Sequence, residues 1–358
     1  MIDKPHHWLA ALLCLFIVGC ASAPPVLKLD LHEVQGYVWP SEPEVARYQY
    51  VGQLTGEENF IKEVDDVSMT RKVFEWVVGI VAGEMIPTVL QRPQSGAVDS
   101  DGRIYVTDVS RAAVYVFDGV AGKLDVWEMA GEQLRFKTPI GLVVVEREAG
   151  EREILVADAD LKRIVRLDQN GKPIGHFGLD VLSRPTGLAR DPESGHLFVA
   201  DTYTHEIKVF SAEGVLLNTL GAGARSAGLG EFNAPTHLSF AAGQLYVTDT
   251  LNSRVQVLSG AGEFVRTFGR RGLFVGDLPR PKGVAVDKEG NVYVVESYYD
   301  HLLVFNQEGS LLLPIGGSGS GLGEFYLPAG VWTDHRDRIY VADSFNGRVV
   351  ILQYLGGA

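Results

Sequence analysis

From residue 93 onward the chain is written in short apolar runs of about five residues, each closed by Gly, Asp, Asn or Ser. Residues 235–269 show the unit most clearly: PTHLSFAAGQLYVTDTLNSRVQVLSGAGEFVRTFG. Its four runs, THLSF, QLYVT, RVQVL and EFVRTFG, are rich in β-branched and aromatic residues, which predicts four strands joined by turns. Together they make one antiparallel meander. A proline opens the first strand of each copy, at Pro93, Pro139, Pro185, Pro235, Pro281 and Pro328, with gaps of 46, 46, 50, 46 and 47 residues. A period in the forties with four strands per copy predicts a propeller. One such sheet cannot bury both its faces alone, so the copies must stack around an axis.

The two ends of the chain complete this pattern. The copy at Pro328 supplies three strands, AGVWTD, RIYVAD and RVVILQY, and stops short of a fourth. RYQYVGQLTG, at residues 47–56, resembles the fourth strand at residues 263–269 and is expected to finish that blade. In residues 64–81, Met69, Val73, Trp76, Val77 and Ile80 recur at helical spacing, with Asp66 or Ser68 as cap and Gly83 as stop. That helix either lies on the β domain or docks on a partner or membrane surface. The expected fold is all-β: a six-bladed β-propeller of four-stranded antiparallel blades, closed by an N-terminal strand, with one short N-terminal helix. The expected organisation is a signal peptide (1–19), a tether (20–44), the closing strand (45–57), a helical insertion (58–91) and the propeller (92–358).

Composition narrows the setting. Gly is 41 of 358 residues, which suits a chain full of tight turns, and the formal charge is −13. An acidic chain lacks the cationic footprint that nucleic acid or an anionic bilayer requires. The apolar run Trp8 to Val18 is too short to span a bilayer. It leads into Ile17-Val18-Gly19-Cys20, which resembles the lipobox of bacterial lipoproteins. The resemblance implies cleavage before Cys20 and lipidation of that residue; the bland alternative is an ordinary signal peptide with a chance cysteine. Ala21, where inner-membrane lipoproteins often carry Asp, resembles the outer-membrane class, and the expected location is an outer-membrane anchor facing the periplasm. The other cysteine, Cys14, falls inside the signal, so no disulfide, redox pair or covalent haem is expected.

An acid ends the second strand of every copy: Asp108, Asp158, Asp201, Asp249, Glu296 and Asp343. Six residues later stands an apolar side chain: Val114, Ile164, Ile207, Val255, Leu302 and Val349. The pattern P-x-G-[VL]-A-V-D, then Y-V-[AT]-D-[ST]-x-N-x-R-[VI]-x-V, then a Gly-rich turn before G-x-G-E-F, resembles the NHL repeat. It covers residues 92 to 354, is clearest at Pro235 and Pro328, and repeats GLGEF from Gly228 and Gly321. The resemblance implies a propeller but no single activity, since NHL propellers include enzymes, RNA binders and protein-binding scaffolds.

In such a ring the loop entering each inner strand and the loop leaving each second strand share one face. The acids suit a structural task there, accepting backbone N–H bonds or pairing with Arg163, Arg254, His301 or Arg348. A feature repeated six times reads as scaffold, so the departures carry the information. Two residues after each proline stand Ser95, Gly141, Gly187, His237, Gly283 and Gly330. His237 places an imidazole near the expected channel mouth, either stacked on the next blade or touching a ligand. Glu206 replaces the usual basic residue beside His205, and Glu296 is followed by Tyr298, Tyr299 and His301. With Tyr203 and Phe345 these form a candidate surface for a protein or peptide partner.

Two enzymatic alternatives compete with that surface. The fold resembles that of the peptidyl-amidating lyases, whose zinc is held by three histidines, and a catalytic zinc needs about three converging ligands. Here His237 alone lies near the inner strands; His205 and His301 lie farther out, and His176, His196 and His335 belong to outer strands or the opposite face. Calcium-dependent lactonase-like propellers set carboxylates in the channel, where this chain offers Ala97, Val143, Ala189, Ser239, Ala285 and Trp332. No Gly-x-Ser-x-Gly nucleophile motif and no P-loop is present. The leading expectation is therefore a lipid-anchored binding module for an envelope protein or peptide, with no catalytic residue, metal or cofactor assigned and no nucleic acid. A metal-dependent lyase or hydrolase at the channel mouth is the alternative.

Overall fold

The computed structural model describes residues 25–29, 36–61, 87–147 and 150–356. Cys20, the signal segment and the helix expected over residues 64–81 lie outside the described residues.

The chain forms a six-bladed β-propeller of antiparallel blades. Blade 4 is representative, with Pro235–Ala241, Gln244–Asp249, Arg254–Ser259 and Phe264–Phe268 paired in order from the axis outward. Each proline sits where its missing N–H is tolerated, and the register shifts just after it, between Pro235 and Leu238 in this blade. The second and third strands are almost wholly buried because a neighbouring blade covers each face.

The core is accordingly six cores, one per junction. Phe198, Ala200, Phe232, Leu245 and Val247 fill the junction between blades 3 and 4. Tyr246, Val257, Val284, Val294 and Leu303 fill the next. The junction between blades 6 and 1 closes the ring with Val349, Ile351 and Tyr340 against Val106, Tyr115 and Phe117.

That last junction depends on the front of the chain. Tyr48–Leu54 pairs antiparallel with Arg348–Tyr354 and becomes the fourth strand of blade 6. Leu54 is fully buried in the closing core. Residues 20–44, expected as a tether, are in part built into the fold. Val38–Trp39 adds a fifth strand to blade 6, and Val26–Leu27 pairs with Phe60–Ile61. The reason is local. Trp39, Leu27 and Leu29 each pack on an apolar cluster at the blade edge, so prolines around them do not keep the segment free. Asn59, fully buried, joins the layers by donating to the carbonyls of Lys28 and Gln53 at 2.9 and 2.8 Å.

Deleting residues 48–54 should leave the Arg348–Tyr354 strand as an open edge and expose the closing core. The expected outcome is loss of cooperative unfolding, or association through the bare edge. Leu54→Ala alone should cost about 3 kcal/mol, measured by urea denaturation. A deletion variant as stable and monomeric as the parent would show that the ring does not need this strand.

Candidate functional site

One face of the ring is assembled around six buried carboxylates. Asp158 accepts the N–H groups of Lys137 and Thr138, in the loop entering its inner strand, at 2.7 and 3.1 Å. Its other contacts are the N–H groups of Asp160 and Leu161, in the turn beyond it, at 3.1 and 2.9 Å. Asp108 does the same for Gln91, Arg92, Ser110 and Arg111. Asp201 holds Ser183 and Arg184, and Glu296 holds Arg280, Tyr298 and Tyr299. Asp249 and Asp343 add side-chain partners, with Arg254 and Arg348 each donating Nε at 2.8 Å. Arg163 turns away to the Leu161 carbonyl instead. Burial pushes the Glu296 and Asp343 carboxyls up, and the donated hydrogen bonds offset only part of that rise. These acids are scaffold; Asp108, Asp158, Asp249, Glu296 and Asp343 each tie the entering loop and the following turn to one strand end, and Asp201 ties the entering loop.

The tied turns share one shape. The fourth residue after each acid is left-handed: Ala112, Lys162, His205, Ser253, Asp300 and Gly347, with φ between 51° and 63°. The second residue after each acid then stands exposed at the crest: Ser110, Asp160, Tyr203, Leu251, Tyr298 and Phe345. Blades 1 and 2 present polar groups there. Blades 3 to 6 present large apolar ones, exposed by 74, 59, 61 and 48% respectively. The connecting loops of the same face add Leu229, Leu273, Phe274, Val275 and Tyr326. At the opposite face, among the described residues, Val120 and Val215 stand exposed on turns of blades 1 and 3, and Val45 and Leu355 flank the paired strand ends of blade 6.

The residues singled out from sequence separate into two groups. Tyr203, Tyr298 and Phe345 lie on this apolar arc. Tyr298 and Tyr299 meet edge to face, with centroids 4.8 Å apart. Phe345 meets Tyr326 at 5.6 Å and carries the Arg92 guanidinium over its ring at 4.8 Å. Glu296, Tyr299 and His301 line a cavity of about 120 Å³ beside Leu273 and Phe274. The second group supports the loops. His205 Nδ1 accepts the Ala234 N–H at 2.9 Å, as Asp300 accepts that of Leu327 at 2.8 Å two blades on. Glu206 is paired with Lys208 at 2.7 Å.

His237 is not open to the channel mouth. The position two after the proline faces the next blade so closely that a Cβ at Gly187, Gly283 or Gly330 would strike neighbouring backbone. His237 occupies that position and is buried, with neither ring nitrogen hydrogen-bonded. Sequence reasoning passed over its neighbour Lys282, on the inner strand of blade 5. Burial lowers the Lys282 ammonium, and the charges of Arg280 and Arg92 lower it further. Leu251 was also passed over, because nothing in its type marks it apart from core leucines.

At the other end of the axis the channel opens into a cavity of about 390 Å³ lined by Ala97, Val143, Ala189, Ser239, Ala285 and Trp332. Among the described residues no group of three His, Cys, Asp or Glu side chains converges as a metal site.

His237 gives a pH test. Burial, aided by the nearby Lys282 charge, holds its imidazole down to about 3 from the usual 6.5. The unfolded chain therefore takes up a proton near pH 6.5 while the folded chain does not until about pH 3. Stability from this group is present above that window and is lost as pH falls through it. His237→Leu should flatten the fall in urea midpoint between neutral and mildly acidic pH. Equal falls in variant and parent would mean the ring already charges in the folded state.

Comparison with known proteins agrees with this architecture. The NHL repeat family matches residues 182–210, and a family described as 6-bladed beta-propeller matches residues 284–355. No curated protein matches the chain. Among solved structures, virginiamycin B lyase from Staphylococcus aureus aligns with a TM-score of 0.52 and 12% identity, over 74% of this chain and 96% of that one. An auxiliary nutrient binding protein from Bacteroides thetaiotaomicron aligns with a TM-score of 0.58 and 12% identity, over 75% and 70%. A luciferin-regenerating enzyme aligns at 0.56 and 13%, over 75% and 92%. At such identities the likeness is one of fold, and the three proteins differ in role. The chain carries an NHL repeat and is a six-bladed β-propeller.

Proposed function

We propose that the chain is a binding module whose clamped loop face recognises a protein or peptide. The observation that carries this reading is the arc of Tyr203, Leu251, Tyr298 and Phe345, exposed at equivalent positions on four adjacent blades. Isolated exposed apolar residues are ordinary, but a contiguous arc of aromatic and aliphatic side chains on a rigid support is the make-up of an interface. Blades 1 and 2 break the ring's symmetry with Ser110 and Asp160, so the surface has a direction.

We also propose that Cys20 is lipidated and fixes the module to an envelope membrane, the outer membrane being the expected one. Support comes from the path of the chain. Pro25 lies against Gly122, in a turn of the face opposite the arc. Five residues span at most roughly 17 Å, so an anchor at Cys20 would hold that opposite face near the bilayer and leave the arc turned away. The alternative of a metal-dependent lyase or hydrolase needs converging donors, and His237 is buried alone; no observation favours it.

A photoreactive amino acid placed at Tyr203 or Tyr298 in the intact cell should give discrete protein adducts, and one at Val120 on the opposite face should not. Adducts from Val120 alone would remove the arc from consideration. Separately, Cys20→Ser should move the protein from the membrane to the soluble fraction; unchanged membrane association would refute the anchor.

A further inference from the structure

Three basic side chains gather at the centre of the loop face, inside its ring of buried carboxylates, although the chain as a whole is strongly acidic. Lys282 follows the proline of the blade 5 inner strand, where blade 6 has only Ala329. Its ammonium lies within electrostatic reach of Arg92, on the far side of that small residue, and of Arg280 at its own loop. Among the described residues none of these three forms an ion pair, while Arg254, Arg348 and Lys208 of the same face do. Beside them His237 is buried to 8% exposure with both nitrogens unpartnered. Arg92 lies over Phe345, so the cluster sits against the apolar arc.

Nothing in the fold requires this arrangement. Five blades do without a lysine at this position, and a half-buried ammonium beside two exposed guanidiniums of like charge gains no stability from them. Such a cluster is retained where it receives a counter-charge from outside.

We propose that Arg92, Arg280 and Lys282 form an anion subsite that receives a carboxylate of the polypeptide docked on the arc. This deepens the binding reading above and rests on it. The chemistry fits: two exposed guanidiniums meet a carboxylate at the rim, and the ammonium of Lys282 lies inside them. The surrounding negative charge of the chain repels acidic groups elsewhere and leaves this mouth as their point of entry.

The test titrates the protein with hexaglutamate, with hexaglutamine, and with inorganic phosphate, by calorimetry at low and high salt. Hexaglutamate should bind, weaken with salt and lose roughly tenfold in affinity in Lys282→Met, as expected for one lost charge-assisted contact. Hexaglutamine should not bind. Lys282→Met should also keep or raise Tm, because it removes a repelled charge; a fall in Tm would make Lys282 a structural residue and overturn the assignment. Phosphate binding without hexaglutamate binding would overturn the polypeptide carboxylate. A Tyr203→Ser/Leu251→Ser variant that carries the photoreactive amino acid at Tyr298 separates the two ideas. It should lose the Tyr298 adducts yet keep hexaglutamate binding, so loss of one signal without the other identifies which reading has failed.

Discussion

The structure depends on a buried carboxylate at the end of each second strand that accepts backbone N–H groups of the entering loop and, in five blades, also holds the following turn through N–H groups or an asparagine side chain. Around each of the six acids, groups that leave their ladders at a strand end would otherwise be orphaned, and a buried unpaired donor is costly. The carboxylate satisfies several of them, and those bonds in turn make its own burial tolerable. Neither half is stable alone. This mutual satisfaction draws the entering loop and the departing turn together, as around Asp158, and so decides which residues lie beneath the surface and which stand on it.

The clamp explains why the face divides as it does. The acid is buried, the fourth residue after it is bent into the left-handed region, and the second is lifted to the crest. The crest side chains are exposed and the turn is shaped without them, although Asp160 pairs with Arg184 and Phe345 packs on Tyr326. The four apolar crests of blades 3 to 6 therefore point to a use outside the fold. His205 is the opposite case: its imidazole faces inward and is spent on a backbone N–H.

Much of this was legible in the chain. The proline period, the acid ending each second strand and the missing fourth strand of the last copy are local signals, and each follows from a backbone requirement that sequence must state explicitly. The closing strand was readable because Tyr48–Leu54 looks like its counterparts. Less was readable at the site. A left-handed turn residue is announced by Gly347 but hidden in Ala112, Lys162 and Asp300, so the crest of each turn could not be located from type alone. His237 was placed on its strand but left open between stacking on the next blade and touching a ligand, since its burial depends on how closely the blades approach. Lys282 is an ordinary lysine until Arg92, Arg280 and Ala329 are brought around it by ring closure. Residues 25–29 and 36–44 read as linker because prolines and polar residues interrupt them, while the apolar side chains that pin them down form no strand or helix pattern long enough to read.

Ring closure also links the two faces. The strand that seals blade 6 comes from the same end of the chain that carries the proposed anchor, so the segment leading to it must leave at the outer edge, not at the axis. That segment runs over the blade 1 and blade 6 edges, with Leu27 and Leu29 packed on the closing core, and reaches the opposite face at Pro25. A tether attached at the axis would compete with anything approaching the channel mouth. One attached at the rim of the far face does not, and it leaves the cationic centre and its apolar arc open together. Under the proposed anchor, the strand that makes the ring stable is also the element that would set which side of the ring faces away from the membrane.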